Sequence, residues 1–260
     1  MKTKKQIFGL FYLLFFLTLC SCATPIPIIR LSADEVPENA KRFWFGAEQV
    51  FLEHEGVKVV VTFVESTPLD LIFSVEVINT SGKEILIAPE KIYYQAFQVV
   101  DSVKHRLAPQ YHLARNPEEE ILNIDKEKSI TEAQAQNSAG FNTVVTLVQV
   151  ADDIGSSVSK NDTRQAQDER NQDMQNQEEY YQSQKNGYLN ETQSLNQMRE
   201  YWANNTLRKT HLPNGNSIEG TVLIPRNDKA NYLKFVIPIE KINFVVDYKQ
   251  NVIKPKNGSW

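Results

Sequence analysis

Two absences narrow the chemistry that this 260-residue chain can offer. No cysteine follows Cys22, so the rest of the chain has no disulfide framework. The sequence also lacks the Gly-x-Gly-x-x-Gly, P-loop, Gly-x-Ser-x-Gly and His-Glu-x-x-His motifs that accompany nucleotide binding, serine hydrolysis and zinc-dependent hydrolysis. We therefore predict no catalytic residue, no cofactor and no metal, and we expect that the protein is not an enzyme.

An excess of positive charge is missing as well. Without the three lysines among residues 1–22, the chain has 25 Lys and Arg against 32 Asp and Glu, a net charge of −7. Nucleic-acid binding requires clustered Lys and Arg that neutralise phosphates. The charge balance therefore disfavours nucleic acid as a partner.

Residues 1–21 have the form of a secretory signal peptide. Met1–Lys5 carries three lysines and no acid, and Ile7–Leu19 is a run of thirteen mostly apolar residues. As a helix this run is about 20 Å long at ~1.5 Å per residue, which is shorter than the roughly 30 Å hydrocarbon core of a bilayer. A short apolar run between a basic start and small residues is typical of a cleaved signal peptide.

The end of this segment, Leu19-Cys20-Ser21-Cys22, resembles the bacterial lipobox. The resemblance implies cleavage before Cys22 and acylation of that cysteine, with three acyl chains in lipoproteins of this type. Two or more acyl chains hold a protein firmly at a bilayer. Residues 22–42 contain three prolines and are predicted to be a tether. No acidic residue directly follows Cys22, which by resemblance to known sorting patterns favours the outer membrane, with the protein facing the periplasm.

Alternation of apolar and polar residues predicts β-strands in residues 43–112 and again in residues 213–253. Half-buried strands that recur at intervals of about 8–12 residues predict an antiparallel sandwich. The main candidate strands are Val57–Glu65, Leu69–Asn79, Glu84–Ala88, Lys91–Asp101, Ile218–Ile224, Tyr232–Ile239 and Ile242–Lys249.

Residues 117–212, between the two groups of strands, follow a helical pattern. No proline occurs between Pro117 and Pro213, and the three acids that follow Pro117 are typical of a helix start. Val144–Val150 is β-branched enough to be a strand, but a helix is favoured because Phe141, Val144 and Val148 share a helical face and no turn signal precedes the segment. We predict a long helical hairpin inserted into one sandwich, because the two ends of an antiparallel helix pair lie close together.

An aromatic stripe in the second helical segment is the main candidate binding site. Tyr181, Tyr188 and Trp202 belong to a series of residues that recur every seven positions, as one packed seam of a helix does. They either bind a partner, as rigid amphipathic side chains often do, or pack inside the hairpin. Of the 45 residues from 161 to 205, 17 are Asn or Gln, so the opposite face of the helix is predicted to be polar. The intervening seam positions are polar as well, at Gln177, Gln184 and Glu191, so the seam is too thin for a strong coiled coil.

Three other residues are weaker candidates. His105 and His112 lie seven residues apart without Cys or carboxylate at zinc-ligand spacing, so we interpret them as surface histidines. Asp101-Ser102-Val103 resembles the short O-glycosylation site of Bacteroidota-type secreted proteins, which makes Ser102 a candidate for modification.

Gly220–Pro225 and Tyr232–Pro238 resemble two strands of a family of immunoglobulin-like domains of unknown function in bacterial lipoproteins of the Bacteroidota type. Leu207–Thr210 is similar to a segment of uncharacterised lipoproteins from the same group. The resemblance implies an immunoglobulin-like fold, and the long helical insertion departs from the simple family pattern. From the resemblance together with the helical pattern, we predict an α+β protein in which an antiparallel immunoglobulin-like β-sandwich is interrupted by the helical hairpin. The resemblance also implies a cell-envelope setting and no specific activity.

Two functions are compatible with these patterns. In the first, the protein is a non-enzymatic, lipid-anchored interaction or scaffolding module that binds an envelope protein through the helical hairpin. In the second, it is a ligand-binding lipoprotein that recognises glycan or peptide through the sandwich loops.

Mass spectrometry of the mature protein tests the predicted anchor. We expect a chain that begins at Cys22 and carries the mass of its acyl chains, because the lipobox directs cleavage and acylation at this residue. The Cys22→Ala variant should lose the acyl mass. A mature chain that carries no acyl group on Cys22 would show that the lipobox assignment is wrong.

Overall fold

The computed structural model describes residues 25–157 and 164–255, which form thirteen strands and two α-helices. The strands before the helices are β1 (Ile28–Asp34), β2 (Lys41–Trp44), β3 (Ala47–His54), β4 (Val57–Ser66), β5 (Asp70–Asn79), β6 (Ile85–Ile87), β7 (Tyr93–Val100), β8 (Val103–Arg106) and β9 (His112–Leu113). The helices are α1 (Pro117–Ser157) and α2 (Arg164–Asn204), and the strands after them are β10 (Thr210–Leu212), β11 (Ser217–Pro225), β12 (Tyr232–Ile239) and β13 (Ile242–Ile253).

Most strands belong to two antiparallel sheets. Sheet A has the order β1-β13-β12-β7-β8, with β9 also paired to β7, and sheet B has the order β11-β5-β4-β3-β2. Strands β6 and β10 form a separate two-stranded ribbon. The predicted α+β class with antiparallel sheets is therefore confirmed.

Apolar side chains from both sheets meet in one core. In β4, Val57, Val59 and Val61 are buried while the residues between them are more exposed, as alternation requires. Phe73 of β5 stacks on Phe235 of β12 with ring centroids 4.4 Å apart. Because β5 belongs to sheet B and β12 to sheet A, the two sheets face each other in a sandwich-like arrangement.

Strands from both sides of the helices pair with one another. β11 pairs with β5 from Ser217–Ile78 to Pro225–Asp70, and β12 pairs with β7. The chain therefore leaves the sheets after β9, forms α1 and α2, and returns to the same sheets.

Each helix is 41 residues long, or about 60 Å at ~1.5 Å per residue. α1 begins at Pro117, as predicted, and the side chain of Asn116 accepts a hydrogen bond of 3.1 Å from the amide of Glu118. Phe141–Val150 is helical, which confirms the choice of helix over strand. The N-cap predicted at residues 161–163 lies outside the described residues.

The predicted tether is wrong from residue 28 onward. Ile28–Asp34 forms β1, an edge strand in which all seven residues pair with β13, and Lys41–Trp44 forms β2. Ile29 and Ala33 are buried against the core. The prolines that suggested a tether lie on either side of β1, where they do not interrupt its pairing.

The predicted end of the helical segment at residue 212 also requires correction. α2 ends at Asn204, and Thr210–Leu212 pairs with β6. Leu212 is buried in the core of the sandwich. Contact with β6, which is distant in sequence, therefore determines the conformation of this segment.

A close backbone contact connects the end of α2 to sheet B. The amide of Leu207 donates a 2.9 Å hydrogen bond to the carbonyl of Thr221, and the amide of Thr221 donates a 2.8 Å hydrogen bond to the carbonyl of Asn205. A Cβ atom at Gly220 would overlap the backbone of Leu207. Glycine is therefore required at this position of β11.

The variant Gly220→Ala should lower the free energy of unfolding by about 1–3 kcal/mol, because the added methyl group forces two backbone segments apart. Chemical denaturation measures this loss. Gly187→Ala is the matched control, because a Cβ at that helical position meets open space. It should raise stability by roughly 0.5–1 kcal/mol. Equal effects of the two substitutions would contradict the role assigned to Gly220.

Candidate functional site

A small apolar cluster joins the helices to the sandwich. Ile121 and Ile124 of α1 and Leu195 and Trp202 of α2 are buried together, and Leu223 of β11 packs against them. Because Leu223 belongs to sheet B, the cluster fixes the base of both helices on the edge of that sheet. We call these five residues the junction cluster.

Ion pairs surround the junction cluster. The guanidinium of Arg208 donates hydrogen bonds of 2.7 and 2.6 Å to the two carboxylate oxygens of Glu118, and Arg199 donates one of 2.7 Å to Asp125. The hydrogen bonds from Arg208 hold the pKa of Glu118 below its usual value. The two pairs connect α1 with α2 and with the segment that follows it.

Arg115 connects the start of α1 to β5. Its Nε atom lies 3.0 Å from a carboxylate oxygen of the buried Asp70, and its Nη1 atom lies 3.3 Å from Glu120. Its backbone amide also donates a 2.9 Å hydrogen bond to the carbonyl of Leu223. A bridge of this kind holds α1 in a defined position on the sheet, since a buried carboxylate needs a charged partner.

The structure separates the predicted aromatic binding residues. Trp202 is only 8% exposed and packs in the junction cluster, so it offers little surface to a partner. Tyr188 is half-buried, two helical turns before Leu195. Tyr181 lies two turns earlier still in α2, and its side chain is outside the described part. The packing alternative therefore describes Leu195 and Trp202, while Tyr181 and Tyr188 stay candidates for partner binding.

The two histidines lie in different environments. His105 is exposed on β8, whereas His112 of β9 is buried, with its ring stacked 4.4 Å from that of Tyr94. The Nε2 atom of His112 lies 3.4 Å from the amide nitrogen of Asn227. The prediction that His112 is a surface residue is wrong, because β9 pairs with β7 and turns it inward. Among the side chains that the structure describes, no group of three or more His, Cys, Asp or Glu could hold a metal ion.

The chain enters the sandwich beside the turn between β4 and β5. The guanidinium of Arg226 donates hydrogen bonds of 2.8 Å to the carbonyl of Pro27 and 2.7 Å to the carbonyl of Thr67. We call this the entry end of the sandwich. Cys22 lies outside the described residues, so its acylation stays a prediction. No described helix combines the length and apolar character needed to cross a membrane.

The turn between β2 and β3 lies at the entry end, because β2, β3, β4 and β5 are consecutive antiparallel strands. Its two residues are Phe45 and Gly46, between Trp44 and Ala47, which pair with each other. Phe45 is 93% exposed, and Phe43 and Trp44 are more than half exposed. The rings of Trp44 and Phe45 meet edge to face at 4.9 Å. We call Phe43, Trp44 and Phe45 the aromatic turn.

A shallow groove of about 520 Å³ lies at the opposite end of the sandwich, between residues 52–55 and 241–245. The turn between β3 and β4 and the turn between β12 and β13 form its walls. Its volume lies within the range of small-ligand sites, but it is open to solvent. Ser102, the candidate for glycosylation, lies in the exposed turn between β7 and β8.

No protein-family model, curated protein or solved structure matches this chain. The immunoglobulin-like and lipoprotein resemblances therefore stay predictions that depend on the sequence segments themselves.

The aromatic turn was not predicted from the sequence. The run Phe43-Trp44-Phe45-Gly46, immediately before the alternating pattern begins, is the sequence feature that could have indicated it. Such a run more often enters a core than stays exposed. Only the pairing of β2 with β3 at the edge of sheet B leaves these rings in solvent.

The burial of His112 predicts a pH-dependent stability. Burial lowers the pKa of its imidazole below 6.5, so stability is fully present above the unfolded pKa and falls as pH decreases through the folded pKa. Between pH 7.5 and 5.5, His112→Phe, which keeps a ring against Tyr94, should reduce the loss of stability seen in the parent chain. Urea denaturation at several pH values measures this difference.

The matched control is His105→Phe on the exposed strand β8, which should leave the pH dependence unchanged. The same slope in the parent chain and in His112→Phe would refute this role of His112.

Proposed function

We propose that the protein is a non-enzymatic, lipid-anchored module of the cell envelope that binds a protein partner through its helical pair. In this proposal Cys22 carries acyl chains, the chain is held at the outer membrane facing the periplasm, and the sandwich is an immunoglobulin-like platform. Two facing antiparallel sheets, interrupted by helices and then completed by later strands, support that fold.

The reach of the helices is the observation that carries the proposal. The described buried side chains of α1 and α2 all lie in residues 117–131 and 195–204, close to the sandwich. Each helix extends about 60 Å in total. The described part of α2 before residue 195 therefore adds little to the core of the sandwich, which supports a role in contacts with another molecule.

The surface of α2 suits a protein partner. Tyr180 and Leu189 are each more than half exposed on this helix, and Tyr188 is half-buried between them. Aromatic and aliphatic side chains within a polar surface are typical of interaction sites between proteins. The junction cluster and its ion pairs give the helices a defined direction from the sheet, which lowers the entropic cost of docking.

A second candidate function is recognition of a glycan or peptide through the sandwich loops. The groove between residues 52–55 and 241–245 favours it, because two turns meet there around a space of suitable volume.

Replacement of residues 136–188 by a three-residue glycine linker tests the first function. The change removes Tyr181 and Tyr188 but retains the junction cluster and the Arg199–Asp125 pair. Chemical crosslinking in the native envelope should capture a recurrent protein with the parent chain and lose it with the shortened chain. Cooperative unfolding of the shortened chain is the control for folding.

Capture of the same protein by both chains would refute the role of the helices. A thermal shift with envelope glycans that survives the deletion would instead support the groove as the binding site.

A further inference from the structure

The aromatic turn combines backbone strain with exposure. Phe45 has a φ of +47° and Gly46 a φ of +82°, the left-handed pair of conformations of a two-residue hairpin turn. Asn, Asp and Gly are favoured at the first position, and a bulky side chain is rare there. Phe45 is nevertheless 93% exposed, and the ring it contacts belongs to its own turn, that of Trp44, so burial in the core does not explain its presence.

A second hairpin in the same sheet has a polar residue at the first position of its turn, in place of a bulky apolar one. The turn between β3 and β4 has the same conformation, with Glu55 at φ +47° and Gly56 at φ +76°. Its first residue is charged and solvated, and this turn lies at the opposite end of the sandwich. The two turns therefore share a backbone conformation and differ in the chemistry of their first residue.

Other exposed apolar side chains lie at the entry end. Ile26 and Ile28, on the entering chain, are 54% and 48% exposed, and Leu69, in the turn between β4 and β5, is 68% exposed. Single exposed apolar residues are common on protein surfaces, whereas a concentration of them is typical of an interaction site. We call the aromatic turn together with Ile26, Ile28 and Leu69 the apolar end.

The lipid anchor would hold the apolar end close to a bilayer. Pro27, whose carbonyl is bound by Arg226, lies only five positions after Cys22. Five extended Cα-to-Cα steps span at most about 18 Å. A sandwich tethered at Cys22 is therefore restricted to a narrow layer above the membrane, with its entry end nearest to the lipid.

We propose that the apolar end docks on the bilayer, with the rings of Phe43, Trp44 and Phe45 inserted at the boundary between headgroups and acyl chains. This inference rests on the lipid anchorage in the proposed function. Trp favours this boundary because its apolar ring and its polar N–H are both accommodated there, and Phe side chains bury their apolar surface at the same depth. The guanidinium of Arg42, 5.2 Å from the Trp44 ring, is placed to bind a lipid phosphate.

Docking would orient the whole protein. The groove of residues 52–55 and 241–245 would face away from the membrane, because it lies at the opposite end from the aromatic turn. The helical pair, attached at the edge strand β11, would leave from the side of a fixed platform.

Depth measurements on vesicles test the proposal. The mature chain is coupled through the Cys22 thiol to a maleimide lipid in vesicles of phosphatidylethanolamine and phosphatidylglycerol, so the tether exists whether or not cells acylate Cys22. Dansylalanine replaces either Phe45 or Glu55. At position 45 we expect blue-shifted emission and quenching by nitroxide-labelled lipid that is roughly twofold or more stronger than at position 55, because only the first turn enters the bilayer boundary.

Two variants separate docking from folding. Phe43→Ser combined with Trp44→Ser should abolish the quenching difference between the two positions. Phe45→Asn, in a chain without the probe, should leave the melting temperature unchanged or higher, because Asn suits the turn better than Phe.

Equal quenching at positions 45 and 55 would overturn the proposal. A signal at position 45 that depends on protein density rather than on nitroxide lipid would also overturn it and would assign the surface to a second copy of this chain. Absence of acyl groups on Cys22 in cells, found by mass spectrometry, would refute the proposed anchor without affecting the vesicle result.

Discussion

The antiparallel ladder between β5 and β11 is the constraint on which the rest of the structure depends. It pairs Asp70–Asn79 with residues about 145 positions later, across the entire helical region. A flexible loop of that length would impose a closure cost on this pairing. The helices reduce this cost because they bring the chain back beside the point where it left the sheet. The Arg115–Asp70 ion pair holds the start of α1 on β5, and the Arg208–Glu118 ion pair holds the segment after α2 beside the start of α1.

The two ends of the sandwich and its β11 edge differ in the side chains that they expose. The entry end contains the segment before β1, the bulky side chains of Phe43 to Phe45, and Arg226. The guanidinium of Arg226 binds two carbonyl groups and one carboxylate, and its backbone amide binds a third carbonyl. The opposite end presents charged and polar turns around an open groove. The helices occupy the β11 edge, so the aromatic turn, the groove and the helical pair lie on separate surfaces of the sandwich.

Local periodicity was sufficient to predict the long elements. β4, β5, β12 and β13 alternate clearly because one face is buried along their whole length, and α1 starts where proline and acids favour a helix start. The short strands were not predictable in the same way. Thr210–Leu212 is extended only because β6 lies beside it, and β1 is short, flanked by prolines and stabilised by β13, more than 200 residues away.

The candidate site was harder to predict from sequence than the fold, because tertiary contacts decide which of its residues are exposed. The seven-residue spacing identified the packed face of α2 correctly at Leu195 and Trp202, but spacing alone does not state what covers a face; here Leu223 of β11 does so. Phe45 shows the opposite case, an apolar residue that nothing covers. A phenylalanine is more often a core residue, but the position of Phe45 in an edge hairpin leaves it in solvent.

The pairing of β1 with β13 also determines how the protein bears mechanical load. Ile28 pairs with Ile253 where the chain enters, and Asp34 pairs with Asp247 toward the end where the turn from β12 leads into β13. Traction on the chain before Pro27 acts along β1, perpendicular to its inter-strand hydrogen bonds. All seven residue pairs then resist the force together in shear, whereas a peeling geometry would break them in succession. An edge strand of seven residues thus serves as a clamp between whatever holds the N-terminal segment and the body of the protein.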